Sequence, residues 1–152
     1  MPLYAFDGTW STDSPDAAHD TNIVLFRNAY QDRPVFYETG VGTRYAFLGS
    51  LAGALTGAGG RVRVREALKN LKPDATEIDI VGFSRGAALA LHFANALPER
   101  VKIRFLGLFD TVPSFGVPGN EINMGWKLEL PGAAQHCFHA MALDESRYNF
   151  PL

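Results

Sequence analysis

Residues 77–97 read EIDIVGFSRGAALALHFANAL, and this stretch decides the fold. It opens with the β-branched side chains of a short strand, and from residue 87 its alanines and leucines strongly favour a helix. Between the two, Gly82-Phe83-Ser84-Arg85-Gly86 matches the G-x-S-x-G pattern of a nucleophile elbow, a sharp turn that exposes a serine hydroxyl. The glycines let strand and helix approach closely, and the helix N-terminus directs N–H groups and its positive dipole end at an oxyanion. Ser84 is therefore a candidate nucleophile of a serine hydrolase.

Strand-like and helix-like segments alternate along the rest of the chain. This alternation predicts one α/β domain over residues 1–152, with a mostly parallel sheet covered by helices on both faces. The segment Gln135–Leu143 is compatible with either a helix or a strand. The predicted strands are Leu3–Phe6, Val35–Glu38, Glu77–Val81 and Lys102–Phe109, with a further short strand around Lys127–Leu130. The predicted helices are the segment Thr21–Tyr30, with Asp20, Thr21 or Asn22 as its N-cap, Val62–Leu71, and Ala87–Leu97.

Three polar residues fall directly after predicted strands, namely Asp7, Ser84 and Asp110. Parallel sheets bind ligands at the carboxyl ends of their strands, so we expect these residues at one site. A serine nucleophile needs a base to take its proton and a carboxylate to orient that base. The order Ser, Asp, His of α/β-hydrolases makes Asp110 the candidate acid and leaves His136 and His139 as candidate bases.

A different histidine, His92, lies two turns into the predicted helix that follows Ser84. From there its side chain does not easily return to the serine, so His92 is not a candidate base.

An oxyanion hole takes one N–H from the residue after the nucleophile, here Arg85. The second donor is predicted to be the N–H of Gly8 or Thr9, in the loop after the first strand, where glycine permits close backbone approach. We interpret Asp7 as the residue that orients this loop through hydrogen bonds from its side chain to the backbone.

The composition narrows the classes of function. A net charge of −2 and a pI near 6.0 give no basic surface for nucleic acid. Alternating Arg61, Arg63 and Arg65 are interpreted as a solvated helix face. The single Cys137 excludes an internal disulfide, and no cluster with metal-ligand spacing occurs, so no metal and no cofactor are predicted. Neither a secretory signal peptide nor a transmembrane segment is expected, which predicts a cytoplasmic location in the producing cell.

Six motifs occur along the chain in the order that one known family shows, and the similarity extends from residue 5 to residue 150. They are Phe6-Asp7-Gly8-Thr9-Trp10, Thr21-Asn22-Ile23, Gly40-Val41-Gly42-Thr43, Gly82–Ala88, Phe105–Val112 and His139–Arg147. Together they resemble the DUF2235 family, the Tle1-like catalytic domain of type VI secretion phospholipase effectors. The resemblance implies an α/β-hydrolase fold, lipase or phospholipase activity on ester bonds, Ser84 as nucleophile and Asp110 as acid. It also implies export without a signal peptide, and a secretion or immunity protein as partner.

The catalytic histidine of that family lies in a later motif, roughly Pro-Gly-x-His-x-Asp-x-Gly-Gly, and this sequence ends at Leu152 before it. Two interpretations stay open. The favoured one is a partial domain of a larger hydrolase; the other recruits His139, or alternatively His136, as the base.

We therefore expect a serine hydrolase that cleaves carboxylic esters of lipids or phospholipids through an acyl-enzyme at Ser84. The alternative is a catalytically inactive, hydrolase-like fragment that binds a lipid or a partner protein. An amidase or a thioesterase would use the same elbow.

Overall fold

A five-stranded parallel sheet forms the centre of the protein, with strand order β2-β1-β3-β4-β7. The computed structural model describes residues 1–8, 11, 20–40, 57–113, 115–117, 120–121 and 125–143. The strands are β1 (Leu3–Phe6), β2 (Val35–Glu38), β3 (Glu77–Phe83), β4 (Lys102–Phe109), β5 (Gly116–Val117), β6 (Asn120–Glu121) and β7 (Ala134–Ala140). The helices are α1 (Asn22–Ala29), α2 (Gly57–Lys69) and α3 (Arg85–Ala94). Strands β5 and β6 form a separate antiparallel pair.

Helices cover both faces of the sheet, which confirms the predicted α/β architecture. On one face, Ile23 of α1 packs on Leu3, Ala5 and Val81. On the other face, α2 and α3 pack on the sheet through side chains that include Val64 and those of residues 87–91. The apolar run Ile80–Val81 in β3 is fully buried because both faces of this central strand are covered.

The predicted helices differ from the observed ones mainly at their ends. Helix α1 begins at Asn22, and Thr21 is its N-cap, since its hydroxyl accepts a hydrogen bond from the Val24 N–H at 3.2 Å. Helix α2 begins at Gly57, five residues before the predicted start at Val62. Glycines disfavour helices, so the sequence gives no local signal for this first turn.

Packing explains the glycine at the start of α2. A Cβ on Gly60 would lie 2.7 Å from the Leu89 side chain and 2.9 Å from Trp126. The helix therefore approaches α3 and the segment at Trp126 more closely than any larger residue allows.

The predicted strand at Lys127–Leu130 is wrong, because these residues form no strand. The Lys127 N–H instead donates to Nδ1 of His92 at 3.1 Å, and Leu128 packs on the core beside α3. Tertiary contacts rather than sheet pairing hold this segment. The ambiguous segment that follows is a strand, β7, which lies at the edge of the sheet beside β4.

The interpretation of the three alternating arginines as a solvated face is wrong for Arg63. Its side chain is only 7% exposed. The guanidinium donates to the carbonyl oxygens of Thr39 and Gly40, and it pairs with Glu38 at 3.7 Å. Arg63 thus joins α2 to the end of β2.

A buried carboxylate joins α1, β3 and β4 on the face that α1 covers. Asp79 is 1% exposed. It accepts hydrogen bonds from the Tyr30 hydroxyl at 2.5 Å and from Arg104, whose Nε is 3.0 Å away and whose Nη2 is also in contact. Burial and the hydrogen bond to Asp79 raise the pKa of Tyr30, so this hydroxyl stays a donor. The bond to Asp79 likewise raises the pKa of Arg104.

Replacing Asp79 by Asn should lower the free energy of unfolding by about 2 kcal/mol, the usual value of a hydrogen bond to a charged group. Urea unfolding at pH 7 measures this change. The matched control is Asp32→Asn, which breaks an exposed pair with the N-terminal amine at 3.3 Å and should change the same quantity by less than about 1 kcal/mol. Equal effects for the two variants would contradict the assignment of Asp79 as the buried carboxylate that joins α1, β3 and β4.

Within the part of the chain that the structure describes, no helix combines the length and hydropathy needed to cross a bilayer.

Candidate active site

The strand order places a switch point between β1 and β3. From β1 the chain moves to one side to form β2, and then returns to the other side to form β3 and β4. In open parallel sheets a crevice forms at such a point, outside the carboxyl ends of the two strands. Asp7 follows β1 and Ser84 follows β3, so the predicted residues lie on the two walls of this crevice.

Ser84 occupies a strained turn between β3 and α3. Its φ of 54° and ψ of −123° are unusual for a residue with a side chain. The end of β4 holds it there, because the Ser84 N–H donates to the Phe109 carbonyl at 2.8 Å and the Val112 N–H donates to the Ser84 carbonyl at 3.2 Å. Ser84 is the N-cap residue of α3, yet its side chain makes no capping hydrogen bond. The strained backbone therefore leaves Oγ free of the bond that an N-cap serine usually makes.

Both glycines of the elbow are required by backbone contacts. A Cβ on Gly82 would lie 2.6 Å from Cα of Ala87. A Cβ on Gly86 would lie 2.4 Å from the carbonyl oxygens of both Phe6 and Asp7. The first turn of α3 thus rests on the carboxyl end of β1, which brings Ser84 to the switch point.

Asp7 is fully buried and joins three elements. Its carboxylate accepts hydrogen bonds from the Tyr37 hydroxyl of β2 at 2.6 Å and from the Thr21 hydroxyl at the start of α1 at 2.8 Å. Oδ1 accepts the Gly8 N–H at 2.7 Å, in agreement with the predicted contact of Asp7 with this loop. No local sequence pattern indicates Tyr37 as a partner of Asp7, because the contact joins residues on two different strands.

The Asp7 contact bears on the predicted oxyanion donors. The Gly8 N–H is occupied by Asp7, so it is not free for an oxyanion while that bond holds. Thr9, the other predicted second donor, lies outside the described residues. The Arg85 N–H belongs to the first residue of α3, and no carbonyl of the helix can accept it.

Asp110 and His139 lie at the same end of the sheet. Asp110 has a φ of 43°, and its Oδ1 accepts the Ala142 N–H at 2.5 Å. Nε2 of His139 accepts the Thr111 N–H at 3.3 Å. Among the described residues, however, no hydrogen bond joins a histidine to Asp110 or to the hydroxyl of Ser84, so these side chains do not form a connected triad.

His136 lies farther from the crevice than His139. It pairs with Phe105, in the first half of β4, and its side chain is exposed on the edge strand β7. Three residues of a strand correspond to about 10 Å, so His136 is set back from the carboxyl end by roughly that distance.

The buried polar atoms without a hydrogen-bond partner lie around this crevice. In the described ranges these atoms are Oδ1 of Asp20, Nε and Nη1 of Arg85, and Oγ1 of Thr111. Arg85 follows β3, Thr111 follows β4, and Asp20 precedes the N-cap of α1 that contacts Asp7. Native proteins pair nearly all such groups, so unpaired ones call for an explanation such as a ligand. The sequence motif indicates a role only for the backbone N–H of Arg85, and no local pattern indicates that its side chain is buried without a partner.

His92 contacts the segment at Trp126 and Lys127. Its ring contacts Trp126 at a centroid distance of 4.6 Å, and Nδ1 accepts the Lys127 N–H. Burial lowers the pKa of His92, and the nearby charges of Arg61 and Lys127 lower it further.

Comparison with known proteins gives one family. The family model described as "T6SS, Phospholipase effector Tle1-like, catalytic domain" matches residues 3–98 and 91–152. No curated protein and no solved structure gives a significant match.

Replacing Gly86 by Ala should destabilise the protein by about 1–3 kcal/mol or more, because the new methyl group overlaps two backbone oxygens of β1. Thermal or urea unfolding measures the change. Gly132→Ala is the matched control, since a Cβ there has no neighbour within 4 Å, and it should stay within about 0.5 kcal/mol of wild type. A harmless Gly86→Ala change would contradict the close contact of α3 with β1.

The state of His92 predicts a pH dependence of stability. The pKa of His92 is lowered in the folded protein, so as the pH is reduced from about 7 to about 5 the imidazole is protonated in the unfolded chain before it is protonated in the folded one. The free energy of unfolding therefore decreases as the pH is lowered over this range. His92→Gln should reduce that fall in urea titrations at the two pH values. His136→Gln, on the exposed strand β7, is the control, and an equal effect of both changes would contradict the assignment.

Proposed function

The chain belongs to the Tle1-like family of type VI secretion phospholipase effector catalytic domains, and from this premise we propose that it cleaves carboxylic esters of phospholipids with Ser84 as nucleophile. The observation that carries the proposal is the geometry of Ser84. Its side chain makes no capping bond, and its strained backbone is held between β3 and α3 by the two elbow glycines. These are the features of a nucleophile elbow.

The proposed reaction proceeds in two steps through an acyl-enzyme. Oγ of Ser84 attacks the ester carbonyl carbon while a base takes the hydroxyl proton, and the carbonyl oxygen becomes an oxyanion. The N–H of Arg85 and a second N–H hold that oxyanion; the second is that of Thr9, or that of Gly8 once it has released Asp7. Collapse of the intermediate expels the lysolipid alcohol, which receives the proton from the base. Water then attacks the acyl-Ser84 ester and releases the fatty acid.

The base in this proposal is a histidine oriented by Asp110. Since the Ala142 N–H occupies Oδ1 of Asp110, the other carboxylate oxygen is left for the imidazole. Of the two predicted bases, His139 is the better placed, because it lies beside Thr111 at the carboxyl end of the sheet. To act, His139 must exchange its contact with the Thr111 N–H for one with Ser84, and His136 remains the alternative.

A second candidate function is a catalytically inactive domain that binds a lipid or a partner protein. The observation that favours it is the lack, among the described residues, of a hydrogen bond from any histidine to Ser84 or Asp110.

The family also supports proposals about the cellular setting. We propose that the chain is made in the cytoplasm, is exported without a signal peptide, and meets a secretion or immunity protein as partner. Its slight net negative charge offers no attraction for nucleic acid.

Labelling by a fluorophosphonate probe tests the serine mechanism, because the probe reacts with activated serines. Wild-type protein should be labelled, and Ser84→Ala should abolish the signal. The matched control is Ser11→Ala, a serine whose backbone contacts Gly8 and Gly40 in the same loops, and this change should leave labelling in place. His139→Ala and His136→Ala identify the base, since loss of one catalytic group typically costs 100-fold or more in rate.

The outcomes separate the candidates. Labelling that depends on Ser84 and on one histidine supports the serine hydrolase, and hydrolysis of esters in preference to matched amides and thioesters supports the substrate class. Labelling that is equal in wild type and Ser84→Ala contradicts activation of Ser84 by His136 or His139, and it favours either the partial domain, whose base belongs to the later motif, or the inactive binding domain.

A further inference from the structure

The side chain of Arg85 is a buried cation without a partner. It is 8% exposed, and its Nε and Nη1 have no hydrogen-bond acceptor. The other buried arginine in the described ranges is Arg63, which is 7% exposed and contacts two carbonyl oxygens and Glu38. The protein thus satisfies one buried guanidinium and leaves the other unsatisfied.

An unpaired buried charge is costly, so it is seldom kept without a function. Burial lowers the pKa of Arg85, but a guanidinium starts so far above neutrality that it stays charged. The charge lies at the first residue of α3, where the helix dipole adds further positive potential. Both effects favour an anion at this position.

The anion must fit beside the reacting ester. Arg85 follows Ser84 directly, and consecutive Cα atoms are about 3.8 Å apart, so its side chain starts beside the residue that would hold the ester, and an anionic group close to that ester is the partner we assign to the guanidinium. A glycerophospholipid carries its acyl esters and its phosphate on the same three-carbon unit. The planar guanidinium donates two parallel hydrogen bonds to a phosphate, which a point charge cannot do.

We propose that the Arg85 side chain binds the phosphate of a glycerophospholipid whose acyl ester lies at Ser84. Arg85 is then the residue that separates phospholipids from neutral glycerides. The ester half of this assignment rests on the proposed function, whereas phosphate binding by Arg85 does not require turnover.

Binding to the Ser84→Ala chain tests the proposal without catalysis. The two probes are monomeric dihexanoylphosphatidylcholine and dihexanoylglycerol, which share their acyl chains and differ in the phosphate headgroup, and calorimetry measures both affinities. Adding Arg85→Met should weaken binding of the phospholipid about 10- to 100-fold, the effect of losing one or two charged hydrogen bonds, and leave the neutral probe within about 3-fold. The affinity of the Arg85→Lys variant for the phospholipid should lie between those of the chain that keeps Arg85 and of the Arg85→Met variant, since lysine keeps the positive charge and loses the two parallel N–H donors of the guanidinium.

Arg100→Met is the matched control, because Arg100 is exposed in the turn between α3 and β4 and should change neither affinity. Thermal unfolding gives a second readout. Removal of an unpaired buried charge should keep or raise the melting temperature of Arg85→Met, whereas removal of a structural arginine lowers it.

Several outcomes would overturn the proposal. The first is an equal loss of affinity for both probes in Arg85→Met, and the second is no measurable binding of the phospholipid to the Ser84→Ala chain. The third is stronger competition by hexanoate than by inorganic phosphate, which would make Arg85 a carboxylate-binding residue. Failure of the serine mechanism has a different signature, namely absent fluorophosphonate labelling while the phospholipid still binds in an Arg85-dependent manner.

Discussion

The contact on which the rest of the site depends is between two stretches of backbone, the first turn of α3 and the carboxyl end of β1. Gly86 lies so close to the carbonyl oxygens of Phe6 and Asp7 that only a hydrogen atom fits between them. This contact fixes the height of α3 above the sheet, and with it the sharpness of the turn at Ser84. The strained backbone of the serine is therefore a consequence of packing on the neighbouring strand, not of the elbow sequence alone.

Asp7 connects this contact to the remainder of the fold. Its carboxylate accepts hydrogen bonds from Thr21 at the N-cap of α1, from Tyr37 of β2 and from its own neighbour Gly8. A buried carboxylate is stable when several donors surround it, and here the donors come from elements far apart in sequence. The Asp7 carboxylate thus connects the carboxyl end of β1 to β2 and to the start of α1.

The parts of the structure that follow from local pattern were predictable. The strand, the two glycines and the helix around Ser84 determine the elbow within a dozen residues, and the bounds of β1, β2 and β4 agree with their β-branched and aromatic runs. Features set by distant contacts were not. The burial of Arg63 depends on carbonyl groups at the end of β2, and the glycine-rich start of α2 depends on Leu89 and Trp126 across the helix interface. The candidate site divides in the same way, since Ser84 is recognisable locally, whereas the contacts of Asp110 and the unpaired side chain of Arg85 exist only once the sheet has formed.

The left-handed backbone at Ser84 has an evolutionary consequence. At φ 54° and ψ −123° glycine is comfortable and serine is strained by about 1–3 kcal/mol. Under the proposed function, the hydroxyl is kept at this strained position for its reaction and not for stability. A change to glycine would then relieve the strain and remove the nucleophile in one step, which makes it the simplest route by which this fold would lose the proposed activity.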